Sequence, residues 1–414
     1  MDFDTGDTAW VLASTALVMF MTPGLALFYG GMVRAKNILG MLMQNFFALG
    51  LVSVLWALVA YTLAFGGDGK WIGDFDFFGL KDVAGTFPVG LEALTIPPLL
   101  FMAYQMMFAV ITPALITGAV ADRMKWAAWV VFLGVWVVLV YAPVAHWVFA
   151  PSGWLFKRGA LDFAGGTVVH INAGIAALAV VLVLGKRRGW PKNPMPPHSL
   201  PFTLIGAGIL WFGWFGFNAG SALGGNALAA QAMVNTHLAA AAAMLSWLAV
   251  ERMKSGHATT LGAASGCVAG LVAITPCAGF VGGMAPVYIG LVAGALCYLA
   301  VSLKFRFGYD DSLDVIGVHL IGGIVGSLLV AFFADASVNS VVGENEGIFL
   351  GGGTELLVDQ IVAVVATIVF SFVVTYVIAF VIDKTMGIRV TEEDEEIGLD
   401  QTQHAEAGYS LERV

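Results

Sequence analysis

Two histidines, His170 and His319, each stand in the middle of a long apolar run, and each follows an aspartate by eight residues. The first run reads Asp162-Phe-Ala-Gly-Gly-Thr-Val-Val-His170-Ile-Asn-Ala-Gly-Ile; the second reads Asp311-Asp-Ser-Leu-Asp314-Val-Ile-Gly-Val-His319-Leu-Ile-Gly-Gly-Ile. A charged side chain at the centre of a membrane helix costs about 2.5–3.5 kcal/mol, so an ionisable residue there marks a functional site by default. A neutral imidazole has one N–H donor and one acceptor nitrogen. Two such rings can hydrogen-bond to each other and leave one nitrogen on each for a transported species. Burial disfavours the imidazolium, so a pair in an apolar lumen is expected to be neutral or to share one proton, which suits a weak base or a proton relay.

The surroundings fit that pairing. Gly166, Thr167, Ala173 and Gly174 lie one turn to either side of His170, and Gly322 and Gly323 lie one turn after His319. Small residues on those faces let two helices approach closely. The plainer alternative is that each histidine only joins helices through a hydrogen bond; a matched pair on two copies of one local plan weighs against it. A metal site needs three or four convergent ligands, and neither helix has a cysteine or second histidine one turn away. Asp162 stands where it can cap its helix, and Asp311 and Asp314 stand similarly before the second run. A structural role is expected for all three, compatible with stabilising a nearby cation.

The elements that must hold these residues are membrane helices. The chain has 414 residues, 59% hydrophobic and only 11% charged, which excludes a soluble globular protein with one buried core. Apolar stretches of about 20 residues fall at roughly 8–31, 37–65, 95–121, 124–149, 163–185, 200–222, 227–250, 260–278, 281–303, 315–334 and 356–382, of which the eighth is short. The expected fold class is an all-α membrane protein of eleven transmembrane helices. Glycine, 51 residues, exceeds the usual share of about 7%, as expected where helix backbones touch. Cys267, Cys277 and Cys297 match no metal or redox spacing and read as packing residues. The start, Met1-Asp-Phe-Asp-Thr-Gly-Asp7, lacks the basic region of a signal peptide.

Alternate loops carry 15 of the 19 Lys and Arg residues, among them Arg34, Arg123, Arg187, Arg252, Lys304, Arg389 and Arg413. The other side carries Lys70, Lys81, Lys157 and Arg158. The positive-inside rule then places the N-terminus outside and the C-terminus in the cytoplasm. The histidine segments are the fifth and tenth spans, so a repeated five-span unit must be inverted, with its site near the midplane between the halves. Repeat one is read as about 8–185 and repeat two as about 200–334, followed by the eleventh helix, within a transmembrane domain of 1–385.

The aromatic segments Tyr104-Gln-Met-Met-Phe108 and Trp211-Phe-Gly-Trp214-Phe-Gly-Phe217-Asn-Ala-Gly-Ser221 read as packing by composition, although aromatic faces also attract a desolvating cation by about 0.5–2 kcal/mol each. Together with Asp162-Phe-Ala-Gly-Gly-Thr-Val-Val-His170-Ile-Asn and Gly317-Val-His319-Leu, the second segment resembles the ammonium transporter family, the Amt/Mep/Rh group, and most of all its bacterial and archaeal Amt members. The likeness covers nearly the whole chain. It implies a homotrimer with one pore per subunit. It also implies that His170 and His319 are the twin histidines of the lumen, that Phe108 and Phe217 are the stacked gate, and that Phe108, Phe149 and Ser221 form the outer recruitment site. By the same resemblance Asp162 is the supporting acid, Trp214 an indole beside the lumen and Thr275 a lumen-side position. The chain departs from the family at His146-Trp147-Val148-Phe149, where the pattern usually ends in tryptophan; Trp147 or Trp154 are candidates to compensate.

By composition the acidic segment from Thr391 to Tyr409 reads as a solvated, partly disordered end. The resemblance instead implies a regulatory tail, 386–414, that packs beneath a neighbouring subunit and meets a PII-type nitrogen regulatory protein. The expected protein is an inner-membrane ammonium transporter that recruits ammonium, deprotonates it and conducts ammonia. It is not expected to be an enzyme, to hold a cofactor or metal, or to bind nucleic acid. The rival reading is an ammonium sensor signalling through the tail; a membrane metalloenzyme is undermined by the missing ligands.

Overall fold

A computed structural model describes residues 3–409; Met1 and Asp2 of the N-terminal reading, and Arg413 of the charge count, lie outside that range. Ten helices among the described residues are long and apolar enough to cross a membrane. They are α1 (Thr5–Met32), α2 (Ala35–Phe65), α3 (Pro98–Val120), α4 (Trp126–Arg158, broken by a turn at 150–153), α5 (Gly166–Leu184), α6 (Leu200–Ala222), α7 (Ala227–Ser255), α9 (Ala285–Phe307), α10 (Ile316–Phe333) and α11 (Glu355–Met386). Between α7 and α9 lies the shorter apolar α8 (Thr260–Ile274).

The eighth segment ends earlier than the hydropathy predicts. Pro276 has no N–H and disfavours helix in the residue before it, so the chain passes into turns after Ile274. Fifteen residues rise only about 22 Å, less than a bilayer core.

Capping and close packing set the frame. Asp4, Asn226 and Thr259 accept backbone N–H bonds at the starts of α1, α7 and α8. Helices α1 and α6 touch closely: a side chain at Gly206 would collide with the backbone of Phe28. With the hydrophobic effect largely absent inside lipid, such contacts supply the helix association.

One end of the bundle carries the basic loops and a buried charge network. Arg187 grips the Asp310 carboxylate through Nε at 3.0 Å and Nη2 at 2.9 Å, and Arg123 donates to the Asp310 carbonyl at 2.6 Å. Asp122 accepts from Arg34 at 3.1 Å and from Asn37. Burial alone would raise the Asp310 carboxyl, but the Arg187 hydrogen bonds and the Arg123 charge outweigh it and hold it below the ordinary 3.8.

The acidic segment is ordered, contrary to the compositional reading. It forms α12 (Glu392–Ile397) and α13 (Leu399–His404), opened by a capping box between Thr391 and Asp394. Glu395 is buried and ion-paired with Arg389 at 2.7 Å, and Asp400 accepts from the Gly40 amide at 2.8 Å. Specific pairing with these groups overrides the mutual repulsion of the charge run.

Candidate functional site

Each histidine is placed by the same local device. Asp162 Oδ1 accepts from the Gly165 and Gly166 amides at 2.7 and 2.6 Å, and Oδ2 accepts from the Thr167 amide at 2.8 Å and from the Thr167 hydroxyl. Asp311 accepts from the Val315 and Ile316 amides at 3.1 and 2.7 Å. Both carboxylates thus cap the start of a histidine helix. Asp314 instead forms an ion pair with Lys304. Burial first, and then the Asp314 charge, push the Asp311 carboxyl up to about 6. Beyond the caps, both helices open with a π-helical turn, Gly166–Ile171 and Ile316–Leu320, and each turn contains the histidine. Of three other such turns among the described residues, Phe215–Ala219 contains Phe217, while Trp56–Ala60 and Val137–Tyr141 lie outside the site. Extra-residue turns of this kind often accompany functional sites.

The two histidine helices meet antiparallel. The residue one turn after His319, Gly323, faces the Gly166 carbonyl and His170 Cβ, while Gly174 faces the backbone of Leu320. This closeness brings His170 Nδ1 within 3.2 Å of His319 Nδ1, with the rings 17° from parallel. One ring donates and the other accepts. Among the described residues His170 Nε2 has no hydrogen-bond partner. His319 Nε2 lies 3.5 Å from the Tyr29 hydroxyl, so the expected free nitrogen on that ring faces a phenol.

Above the pair, Trp214 stacks on His170 with centroids 5.5 Å apart and donates Nε1–H to Thr275 Oγ1 at 2.9 Å. Thr275 donates in turn to the Leu271 carbonyl at 2.8 Å; it steadies the indole and lines neither cavity described next. The histidines, Trp214 and Phe217 enclose, with Leu25, Ile111, Leu115 and Val268, a lumen of only about 10 Å³. That is about the least space a water molecule needs.

A cavity of about 500 Å³ opens at the end opposite the basic loops. Phe108, Phe149, Ser221 and Asp162 all line it, with Gln105, Phe101, Phe156 and Phe163. Phe108, in this cavity, packs on Phe217, in the lumen, with centroids 4.3 Å apart and both rings buried. The pair separates the two spaces. Tyr104 holds it from behind, donating towards the Gly216 and Phe217 carbonyls at 2.8 Å, and lies 3.2 Å from Ser221 Oγ.

Trp147 and Trp154 do not line the wide cavity. The Trp147 indole donates to the Trp71 carbonyl at 2.7 Å, and Trp154 packs on Trp71, so the aromatic wall is phenylalanine throughout. Tyr29 and Gln105, whose Oε1 is buried without a partner among the described residues, were not singled out from sequence. No motif signals Tyr29; Gln105 lies in the quoted aromatic segment but only its depth in the cavity marks it.

Residues 9–409 match the Ammonium Transporter Family. The chain is 51% identical over 433 residues to an ammonium transporter of Mycobacterium tuberculosis, covering 99% of this chain and 91% of the relative. Among solved structures, Mep2 of Candida albicans is similar with a TM-score of 0.89 at 37% identity, over 95% of this chain and 88% of that one. A protein described as a Sensor Amt Protein gives a TM-score of 0.88 at 29% identity, over 96% and 98%. With a buried histidine pair on capped, antiparallel helices in a multi-pass bundle of the cell membrane, the chain belongs to the ammonium transporter family, whose members move their substrate rather than transform it.

Proposed function

We propose that this ammonium transporter recruits ammonium in the wide cavity, strips its water, removes a proton and passes ammonia through the histidine lumen. The observation that carries the reading is the step from about 500 Å³ to about 10 Å³ across the Phe108–Phe217 pair. A hydrated cation fits only the first space. Aromatic faces at Phe108 and Phe149, the Ser221 hydroxyl and the Asp162 charge favour a cation there. In the lumen a retained charge incurs the full desolvation penalty. Ammonium avoids it by losing a proton; potassium has none to lose. The histidine that donates through Nδ1 then offers ammonia an acceptor Nε2, its partner presents an Nε2–H, and the pair gives the released proton a route.

In this reading the basic end is cytoplasmic, the two halves form an inverted repeat of spans one to five and six to ten, and residues 386–414 are a cytoplasmic tail. The opposed histidine helices with matching aspartate caps support the repeat. Copies assemble as a homotrimer: His237 is exposed on α7 well inside the span and packs on Trp211, whose buried indole nitrogen has no partner among the described residues, a polar surface that a second copy covers. The docked tail offers a PII-type regulator a surface beside the exit.

The test is current from proteoliposomes on a supported membrane after an ammonium pulse, with potassium as control. A saturable ammonium current that potassium does not elicit is expected, and His170→Ala and His319→Ala should each alter rate or selectivity. If both variants transport and discriminate like the parent, the lumen mechanism is wrong. The likeness to a Sensor Amt Protein and the docked tail favour one rival, a sensor, which predicts saturable ligand-dependent regulator binding with negligible flux.

A further inference from the structure

His146 is fully buried and stands three residues before Phe149. Its Nδ1 lies 2.8 Å from the Ala64 carbonyl and its Nε2 lies 2.6 Å from the Gly69 carbonyl. Carbonyl oxygens only accept, and a neutral imidazole has a single N–H. A neutral ring would set a bare nitrogen lone pair against an oxygen at hydrogen-bond distance; an imidazolium satisfies both contacts. Ala64 belongs to the last turn of α2, where orphan carbonyls need donors and the helix dipole favours a cation. We infer that His146 is a doubly protonated positioning residue that staples the loop 66–74 to the end of α4 and so holds Phe149 at the wide cavity.

Two further bonds join the same segments. The Trp154 amide donates to the Lys70 carbonyl at 3.2 Å, and the Trp147 indole donates to the Trp71 carbonyl at 2.7 Å. Three successive carbonyls, at 69, 70 and 71, are therefore taken by donors from 146–154, and His146 is the titratable one of the three. The other charged or titratable groups of the surrounding elements are Asp68, Lys70 and Asp74 on the loop, Tyr61 on α2, Tyr141, Lys157 and Arg158 on α4, and Asp359 on α11. Arg158 is paired with Asp359 at 2.8 Å. Among the described residues both His146 ring bonds go to backbone carbonyls, so carbonyl dipoles rather than a carboxylate stabilise the charge.

The functional half of this inference rests on the reading that Phe149 helps recruit ammonium, and the test separates the two. Full-length protein labelled with 15N-histidine in lipid nanodiscs, with His146 assigned through backbone connectivity, should show both of its ring nitrogens protonated at neutral pH. One bare nitrogen overturns the charge assignment whatever transport does. His146→Phe, which removes both donors, should raise the KM for ammonium about tenfold while the maximum rate is retained, and His146→Gln should raise it less. Trp147→Phe, which cuts the adjacent bond to Trp71, should shift KM in the same sense and provides the test if His146→Phe does not fold. An unchanged KM in these variants alongside a raised KM in Phe149→Ala overturns the staple alone; an unchanged KM in Phe149→Ala overturns the recruitment reading.

Discussion

Gly174→Ala probes the approach of the two histidine helices. A β-carbon at 174 would lie 2.5 Å from the Leu320 amide nitrogen and 2.7 Å from its Cα, where ordinary contact begins at 3.4 Å. These are backbone atoms and cannot swing aside. Relief therefore requires α5 and α10 to separate by about 0.9 Å at a point one turn from His170. Transmitted to the imidazoles, that opens the 3.2 Å Nδ1–Nδ1 contact to about 4 Å, beyond a hydrogen bond. Overpacking costs about 1–3 kcal/mol and the lost bond a further ~1 kcal/mol. The expected result is a lower unfolding temperature in detergent together with an ammonium flux reduced about tenfold, measured in proteoliposomes. Gly323→Ala should act alike, because its β-carbon would meet Ile171 Cγ1 at 2.9 Å and His170 Cβ at 3.1 Å. A Gly174→Ala protein with parental stability and flux would refute the claim that backbone contact sets the histidine geometry.

Asp162→Ala leaves four amides of the α5 start without their acceptor and should cost about 0.5–2 kcal/mol of stability, with Asp162→Asn milder; thermal unfolding of both variants checks this, and an Ala variant as stable as the parent discards the capping account. Asp311 should leave a signature in pH. Its folded carboxyl titrates near 6 against an ordinary 3.8, so between about pH 4 and 6 the folded protein holds a proton that the unfolded chain has released. This group's contribution therefore falls as pH rises through that window, by about 3 kcal/mol, and Asp311→Asn should remove that slope. Parallel stability profiles for Asp311→Asn and the parent across that window would rule it out. Phe108→Ala should join the two cavities yet leave potassium excluded, since the lumen below imposes the desolvation penalty; a potassium current in that variant would place the filter at the phenyl pair instead.

The membrane helices, their approximate ends and the aspartate-to-histidine spacing were legible because lipid burial and helix capping are local demands on residue type. Asp162 and Asp311 reach amides within six residues of themselves, so their capping follows from order along the chain. The twin histidines could be matched as a pair for the same reason. Where the reading went astray, a compositional rule met specific partners: the acidic tail was expected to be solvated, but Glu395 pairs with Arg389 six residues away and accepts from the distant Arg188 amide. Thr275, a lumen-side position by resemblance, accepts from the Trp214 indole sixty-one residues away, a contact that no local rule supplies.

Composition and spacing by themselves determined that this chain crosses a membrane many times and carries two like histidines in capped helices, because those properties depend on each segment's own burial and its own first turn. Only the tertiary structure decided that the rings meet across 149 positions of sequence, that a phenyl pair divides a wide cavity from a narrow lumen, and that His146 bonds two carbonyls instead of lining a site. Such facts depend on sub-ångström approach between segments that share no local sequence.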